Sequence, residues 1–118
     1  METNEFKRIV DACLKGSAFK KRGSNYYRIF PDVICVVDLQ RSYFNKSYYI
    51  NIGYCIVALH PEVHFPKCSE CDIGSRFTFD LNGKLVDNIV LNSIKSADDL
   101  VAKLTHNVKE LILSVDNI

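Results

Sequence analysis

The chain has no tryptophan, one methionine, three prolines and five glycines among its 118 residues. So little proline and glycine, without a period, excludes a collagen-like or low-complexity chain. The glycines are dispersed at turn and strand positions, so there is no glycine-rich phosphate loop. No apolar run approaches the roughly 20 residues of a membrane span, and no membrane association is expected. The polar opening METNEFKR does not read as a signal peptide. A net charge of only +1 gives no global pull toward nucleic acid, which is not an expected partner. At this length one domain is expected, residues 1–118, able to bury roughly two thirds of its unfolded surface. Cysteines number five, an odd count, and Cys13, Cys35 and Cys55 fall at apolar positions. Reduced thiols in a cytoplasmic protein are the natural reading.

What is present in quantity is β-forming residues between Tyr26 and Ala58. Val33, Cys35, Val37 and Leu39 share one parity, and Ile34, Val36, Asp38 and Gln40 the other. In the return strand Tyr48, Ile50, Ile52, Tyr54 and Ile56 alternate with Tyr49, Asn51, Gly53, Cys55 and Val57. Successive strand residues point to opposite faces, so joining the two apolar sets fixes the register. Leu39 is then opposite Ile50, Val37 opposite Ile52, Cys35 opposite Tyr54, Gln40 opposite Tyr49 and Asp38 opposite Asn51. The intervening loop, Arg41 to Tyr48, is too long for a two-residue turn and is expected to be mobile.

Helices flank this hairpin. Phe6, Ile9, Val10, Cys13 and Leu14 form an apolar stripe on a helix from about Asn4 to Lys15. Thr3 or Asn4 is its candidate cap, Gly16 its candidate left-handed terminator, and Phe19 is expected beneath the sheet. The following KKRG reads as a cationic turn. Lys15, Lys20, Lys21, Arg22 and Arg28 face no acid between Ala12 and Pro31, and a solvated turn is preferred over a patch for an acidic partner. His60 to Gly74 reads as a loop or ordered crossing segment. Strand pattern resumes with Phe77, Phe79 and Leu81 inward and Arg76, Thr78 and Asp80 outward, and Asn82-Gly83 marks a tight hairpin. A second helix runs from Ser96 to Val115, with Ser96 and Asp99 at a capping-box-like start. Its buried face is Leu100, Val101, Leu104, Val108, Leu111, Ile112 and Val115.

This order predicts an α+β domain: an antiparallel sheet of about five strands with the N-terminal and C-terminal helices packed on one face. Two helices cover one face of such a sheet, so the second is partly exposed or covered by loops. That second face is expected to collect Asp38, Gln40, Tyr49, Asn51, Arg76 and Thr78, with Gly53 leaving room for an approaching group. With Arg28 added and Thr78 left aside, these residues form the candidate binding surface.

The runs AFKKRGSNYYRI, VVDLQRS, YINIGYCI and CDIGSRF, in this order, resemble the bacterial family called domain of unknown function 4304. The resemblance covers roughly residues 5 to 80 and implies weight on Phe19, Lys20, Arg28, Gln40, Ser42, Asn51, Gly53 and Arg76. Asp72 stands where the family pattern has His after Cys71, and the tryptophans common late in the family are absent. The resemblance implies a fold and no established activity.

His60, His64, Cys68 and Cys71 are four zinc-competent side chains at spacings of four, four and three. A structural zinc site usually draws partners from farther apart, so an ordinary loop with free thiols is preferred and no cofactor or metal is expected. Cys68-Ser69-Glu70-Cys71 lacks the strand-to-helix context of a thioredoxin-like pair. No nucleophilic catalytic residue is identifiable. The polar face could orient a substrate, yet no member has an evident activating partner, and Asp38 with Asn51 reads equally as a cross-strand hydrogen bond of about 0.2–1 kcal/mol. The expected function is therefore a non-enzymatic protein-binding role through the uncovered face. By fold-level analogy, an immunity-type inhibitor of a bacterial toxin is the leading form. A small enzyme using the same face is the alternative, which a deep pocket at Asp38, Asn51 and Arg76 would favour.

Overall fold

The computed structural model describes residues 1–115. Helix α1 (Thr3–Gly16) leads into strands β1 (Lys20–Arg22), β2 (Asn25–Ile29), β3 (Val33–Arg41) and β4 (Ser47–Ile56). A crossing segment with two short 3-10 turns, Val57–Leu59 and Cys68–Glu70, then precedes β5 (Ile73–Arg76). Short strands β6 (Phe79–Leu81), β7 (Lys84–Val86) and β8 (Ile89–Val90) connect to helix α2 (Ala97–Val115). Strands β1 to β5 lie side by side in chain order, all antiparallel. β8 pairs with β4 at Ser47 and Tyr48, in the same lane as β5, while β6 and β7 form a separate hairpin.

The β3–β4 register is the one alternation demands: Leu39 faces Ile50, Val37 faces Ile52, Cys35 faces Tyr54, Gln40 faces Tyr49 and Asp38 faces Asn51. On one side Val33, Cys35, Val37, Ile50, Ile52 and Tyr54 pack beneath both helices. α1 contributes Phe6, Val10 and Leu14, and α2 contributes Leu100, Leu104, Val108 and Leu111. On the other side Tyr27, Ile34, Val36 and Cys55 form a smaller core, closed by Val57, Cys68 and Cys71 of the crossing segment. Phe65 staples that segment down, with Arg22 stacked 4.0 Å from its ring centroid and Tyr27 edge-on at 5.4 Å.

Several local expectations are corrected. The end of α1 is closed by Ala18 at φ +66°, not by Gly16. Phe19 N–H donates to Leu14 O at 3.0 Å and Ala18 N–H to Lys15 O at 3.2 Å, the paired bonds of a Schellman close, with Phe19 and Leu14 in the core. Glu2 occupies the N-cap without a side-chain bond, so neither Thr3 nor Asn4 caps α1. KKR is not a turn but the edge strand β1, whose three residues are all exposed. The stretch Arg76–Leu81 is two strands, because the chain leaves the main sheet after Arg76 and re-forms strand at Phe79. Val101 is exposed rather than part of the buried face of α2. Ser96 does cap α2, its Oγ accepting the Asp99 N–H at 3.2 Å. Asn82 at φ +56° and Gly83 at φ +78° make the β6–β7 turn.

Candidate functional site

The crossing segment covers only part of the second face. Beyond it the sheet is polar, because β3 and β4 change there from Val36 and Gly53 to Asp38, Gln40, Asn51 and Tyr49 on the same side. β5 adds Arg76 directly opposite Asn51. Asn51 is the hub. Its amide nitrogen donates to Asp38 Oδ1 at 2.9 Å and to Gln40 Oε1 at 3.0 Å, and its Oδ1 accepts Arg76 Nε–H at 2.9 Å. Both hydrogens and one lone pair of the amide are thus committed. The guanidinium lies 4.1 Å from the centroid of Tyr49, reaches Gln40 Oε1 at 3.5 Å and pairs with Asp87 Oδ2 at 3.4 Å. Asp38 and Arg76 are thus joined through Asn51 rather than paired directly.

Of these side chains, Asp38, Asn51 and Arg76 wall a broad, open cleft of about 740 Å³, and Gln40, Tyr49 and Asp87 lie beside it. Ser24 from the β1–β2 turn, Asn25 at the start of β2, Lys67 and Ser69 from the crossing segment, and Gly74 and Ser75 from β5 complete it. Sequence reasoning missed Asn25, though a β2–β3 register would have found it, since Asn25 pairs with Asp38. Lys67, Ser69 and Asp87 arrive through tertiary crossings that leave no local pattern.

Other candidates lie elsewhere. Arg28 has the parity of Cys35 and so points to the helix-covered side, a correction to its place in the candidate surface. There its Nη1 donates to Ser17 O at 2.8 Å and the guanidinium stacks on Phe30 at 4.8 Å. Thr78 lies off the sheet, its carbonyl accepting a 3.0 Å bond from Asn107 of α2. The room expected at Gly53 is filled: a Cβ there would stand 2.6 Å from Cys71 Sγ and 3.0 Å from Val36 Cγ1.

His60, His64, Cys68 and Cys71 are not drawn together as one ligand set. His60 Nε2 is 2.8 Å from Asp72 Oδ1, His64 is exposed, Cys68 Sγ reaches Val36 O at 3.5 Å and Cys71 Sγ reaches Lys67 O at 3.3 Å. Burial pushes the Cys68 thiol up to about 12, with the Asp38 charge adding to it. Burial likewise pushes the Cys71 thiol up to about 12, with Cys55 adding to it. A pair held so far into the thiol form is a poor attacking group for redox exchange. Tyr26, across the sheet, donates to Asp11 Oδ1 at 2.6 Å, and that bond, ahead of the Lys15 contact, holds the Asp11 carboxyl below the usual range.

A five-lane antiparallel sheet, helices on one side and a half-covered polar face on the other, defines an α+β domain with a preorganised surface cleft. The family model described as domain of unknown function (DUF4304) matches residues 10–115, and the chain belongs to that family. No curated protein and no solved structure matches it. The family match runs on through α2, beyond the motifs that first suggested it.

Proposed function

We propose that the protein is a non-enzymatic binding protein whose contact surface is the cleft around Asn51. The observation that carries this reading is the closed hydrogen-bond circuit Asn51–Arg76–Gln40, with Asp38 bonded to Asn51 and the Arg76 guanidinium 4.1 Å from the Tyr49 ring centroid. Side chains fixed before contact lose little entropy on binding, and Arg and Tyr are the types that dominate interface energetics. The same circuit speaks against catalysis: Asn51 spends its hydrogen-bonding capacity on neighbours, and the cleft is open rather than deep. The partner is a protein, and an immunity-type inhibitor acting on a bacterial toxin is the form this surface suits. Five free thiols, two of them buried, support a reducing cytoplasmic setting.

The test compares wild type with Arg76→Ala and Gln40→Ala, by thermal melting and by pull-down from the native cell. Both residues are exposed, and the Arg76–Asp87 pair is an exposed one, so melting is expected to stay within about 0–1 kcal/mol of wild type. A partner captured by wild type is expected to be lost from both variants. Early melting, or capture undiminished in both, defeats the proposal. A neighbouring toxin gene would support the inhibitor form in particular.

A further inference from the structure

Cys55, His60 and Asp72 take no part in the polar cleft, yet the fold gathers them from three places. Cys55 faces the second side of β4, His60 closes the Val57–Leu59 turn, and Asp72 immediately precedes β5. Pairing of Tyr54 with Ile73 draws Asp72 back alongside the end of β4. One donor atom from each of the three residues lies within 4.8 Å of the other two. The carboxylate is held on both oxygens: Asp72 Oδ1 meets His60 Nε2 at 2.8 Å, and Oδ2 accepts the Ile56 N–H at 2.8 Å.

We propose that Cys55, His60 and Asp72 form a three-ligand site for a divalent ion of the zinc class, with the fourth position open to solvent. Tetrahedral zinc with sulfur, nitrogen and oxygen ligands separates its donor atoms by about 3.5 Å. Donors already within 4.8 Å therefore close by about 1.3 Å at most, while the His60–Asp72 contact opens by several tenths. One thiolate, one imidazole and one carboxylate are too soft a set for magnesium or calcium, and too mixed for copper(I). Burial grades across the site, with Cys55 only 1% exposed and the His60 and Asp72 side chains 34% and 21% exposed. The ion would rest on a dry floor and keep one side to water, the arrangement of zinc sites with an exchangeable position. Binding displaces the Cys55 thiol proton to solvent, one proton per ion. Cys71 adjoins Cys55, but its thiol is engaged with Lys67 O and is not counted as a ligand.

The plainer reading is that Asp72 ties His60 and the Ile56 N–H together and pins the crossing segment. That reading accounts for the two hydrogen bonds and leaves Cys55 as a small residue of the core with Ile34 and Val36, so the two readings part on whether the three donors take up an ion. The ligand set also differs from the four residues that spacing suggested, sharing only His60 with them.

The test uses full-length protein, reduced and stripped of metal, titrated with cobalt(II) as a spectroscopic probe and then with zinc(II). One equivalent is expected to bind, with a thiolate-to-cobalt charge-transfer band that zinc abolishes by displacement. Cys55→Ser is expected to remove the band. His60→Ala and Asp72→Ala are expected to weaken binding by about tenfold or more, since a direct ligand matters at least as much as its supporting shell. Cys68→Ser and His64→Ala are expected to bind as wild type. Should Cys55→Ser fail to fold by circular dichroism, the His60 and Asp72 variants, both at partly exposed side chains, decide the matter. Substoichiometric binding, wild-type affinity in those two variants, or a band lost with Cys68→Ser would each overturn the site.

Discussion

The two faces of one sheet are finished in different ways. Under the helices, large aliphatic and aromatic side chains from β2, β3 and β4 interlock with two amphipathic stripes, and the cover is regular and continuous. Over the other face the cover is an irregular segment held by Phe65, Cys68 and Cys71, and it stops halfway. Where it stops, the side chains change from Val36 and Gly53 to Asp38 and Asn51, which satisfy one another instead of being buried. Regular cover supplies stability, and interrupted cover leaves a fixed polar surface available for contact. Under the proposed binding role, stability and recognition would be separated by the thickness of one sheet.

The largest test of this contrast is Ile52→Ala, which removes a side chain 4% exposed beneath both helices. A loss of about 2–5 kcal/mol is expected in urea denaturation. Val36→Ala on the opposite face deletes less and is expected to cost about 2 kcal/mol. A larger effect at Val36 than at Ile52 would invert the ranking of the two covers. Next, Gly53→Ala forces a Cβ to within 2.6 Å of Cys71 Sγ and is expected to cost about 1–3 kcal/mol by overpacking. The same change in a Cys71→Ala background should recover part of that loss, because the colliding sulfur is gone.

A smaller effect is expected at the seat of α1. Ala18 holds φ +66°, where a Cβ is disfavoured by about 1 kcal/mol, so Ala18→Gly should raise the melting midpoint slightly. A lowered midpoint would mean that the Ala methyl packs usefully against its surroundings. The smallest effect concerns acid. Asp11 is held below its ordinary value chiefly by the Tyr26 hydroxyl, and Asp72 chiefly by the His60 hydrogen bond. Each is a folded-state carboxyl with a depressed pKa, so its contribution is present above the unfolded value and is lost as pH falls through the folded one. Asp11→Asn on the helix side and Asp72→Asn on the segment side should each flatten stability between about pH 4 and the acid limit. An acid limb identical to wild type in both variants would remove these contacts from the account.

Much of this was legible because alternation is a strong signal when one side of a strand is buried. Val33 to Leu39 against Tyr48 to Ile56 allowed one register, and it is the one observed. The break after Arg76 escaped because Phe77 and Phe79 keep parity across it, and a kink that preserves parity leaves the pattern untouched. β1 escaped because three adjacent cations mask an edge strand whose side chains all meet water. At Ala18 the preference for glycine pointed two residues too early, to Gly16. Asp38, Asn51 and Arg76 of the cleft, with Gln40 and Tyr49 beside it, were reachable from strand parity alone. Lys67, Ser69 and Asp87 were not, because only the tertiary path of the connections brings them near.

The sheet ends in two different margins, and this bears on how copies could polymerise. β1 presents Lys20, Lys21 and Arg22 along one margin, and β5 presents Ile73 to Arg76 along the other. Two β1 margins would bring six cations together, which opposes a closed dimer on that side. Joining β1 of one copy to β5 of the next would be a head-to-tail contact that never closes, the geometry of a growing fibre. Arg76 at the receiving margin is already paired with Asp87, and β5 offers only four residues of backbone. The charge run KKR thus opposes pairing of two β1 margins, most at low ionic strength and less in salt, while the short β5 limits head-to-tail addition.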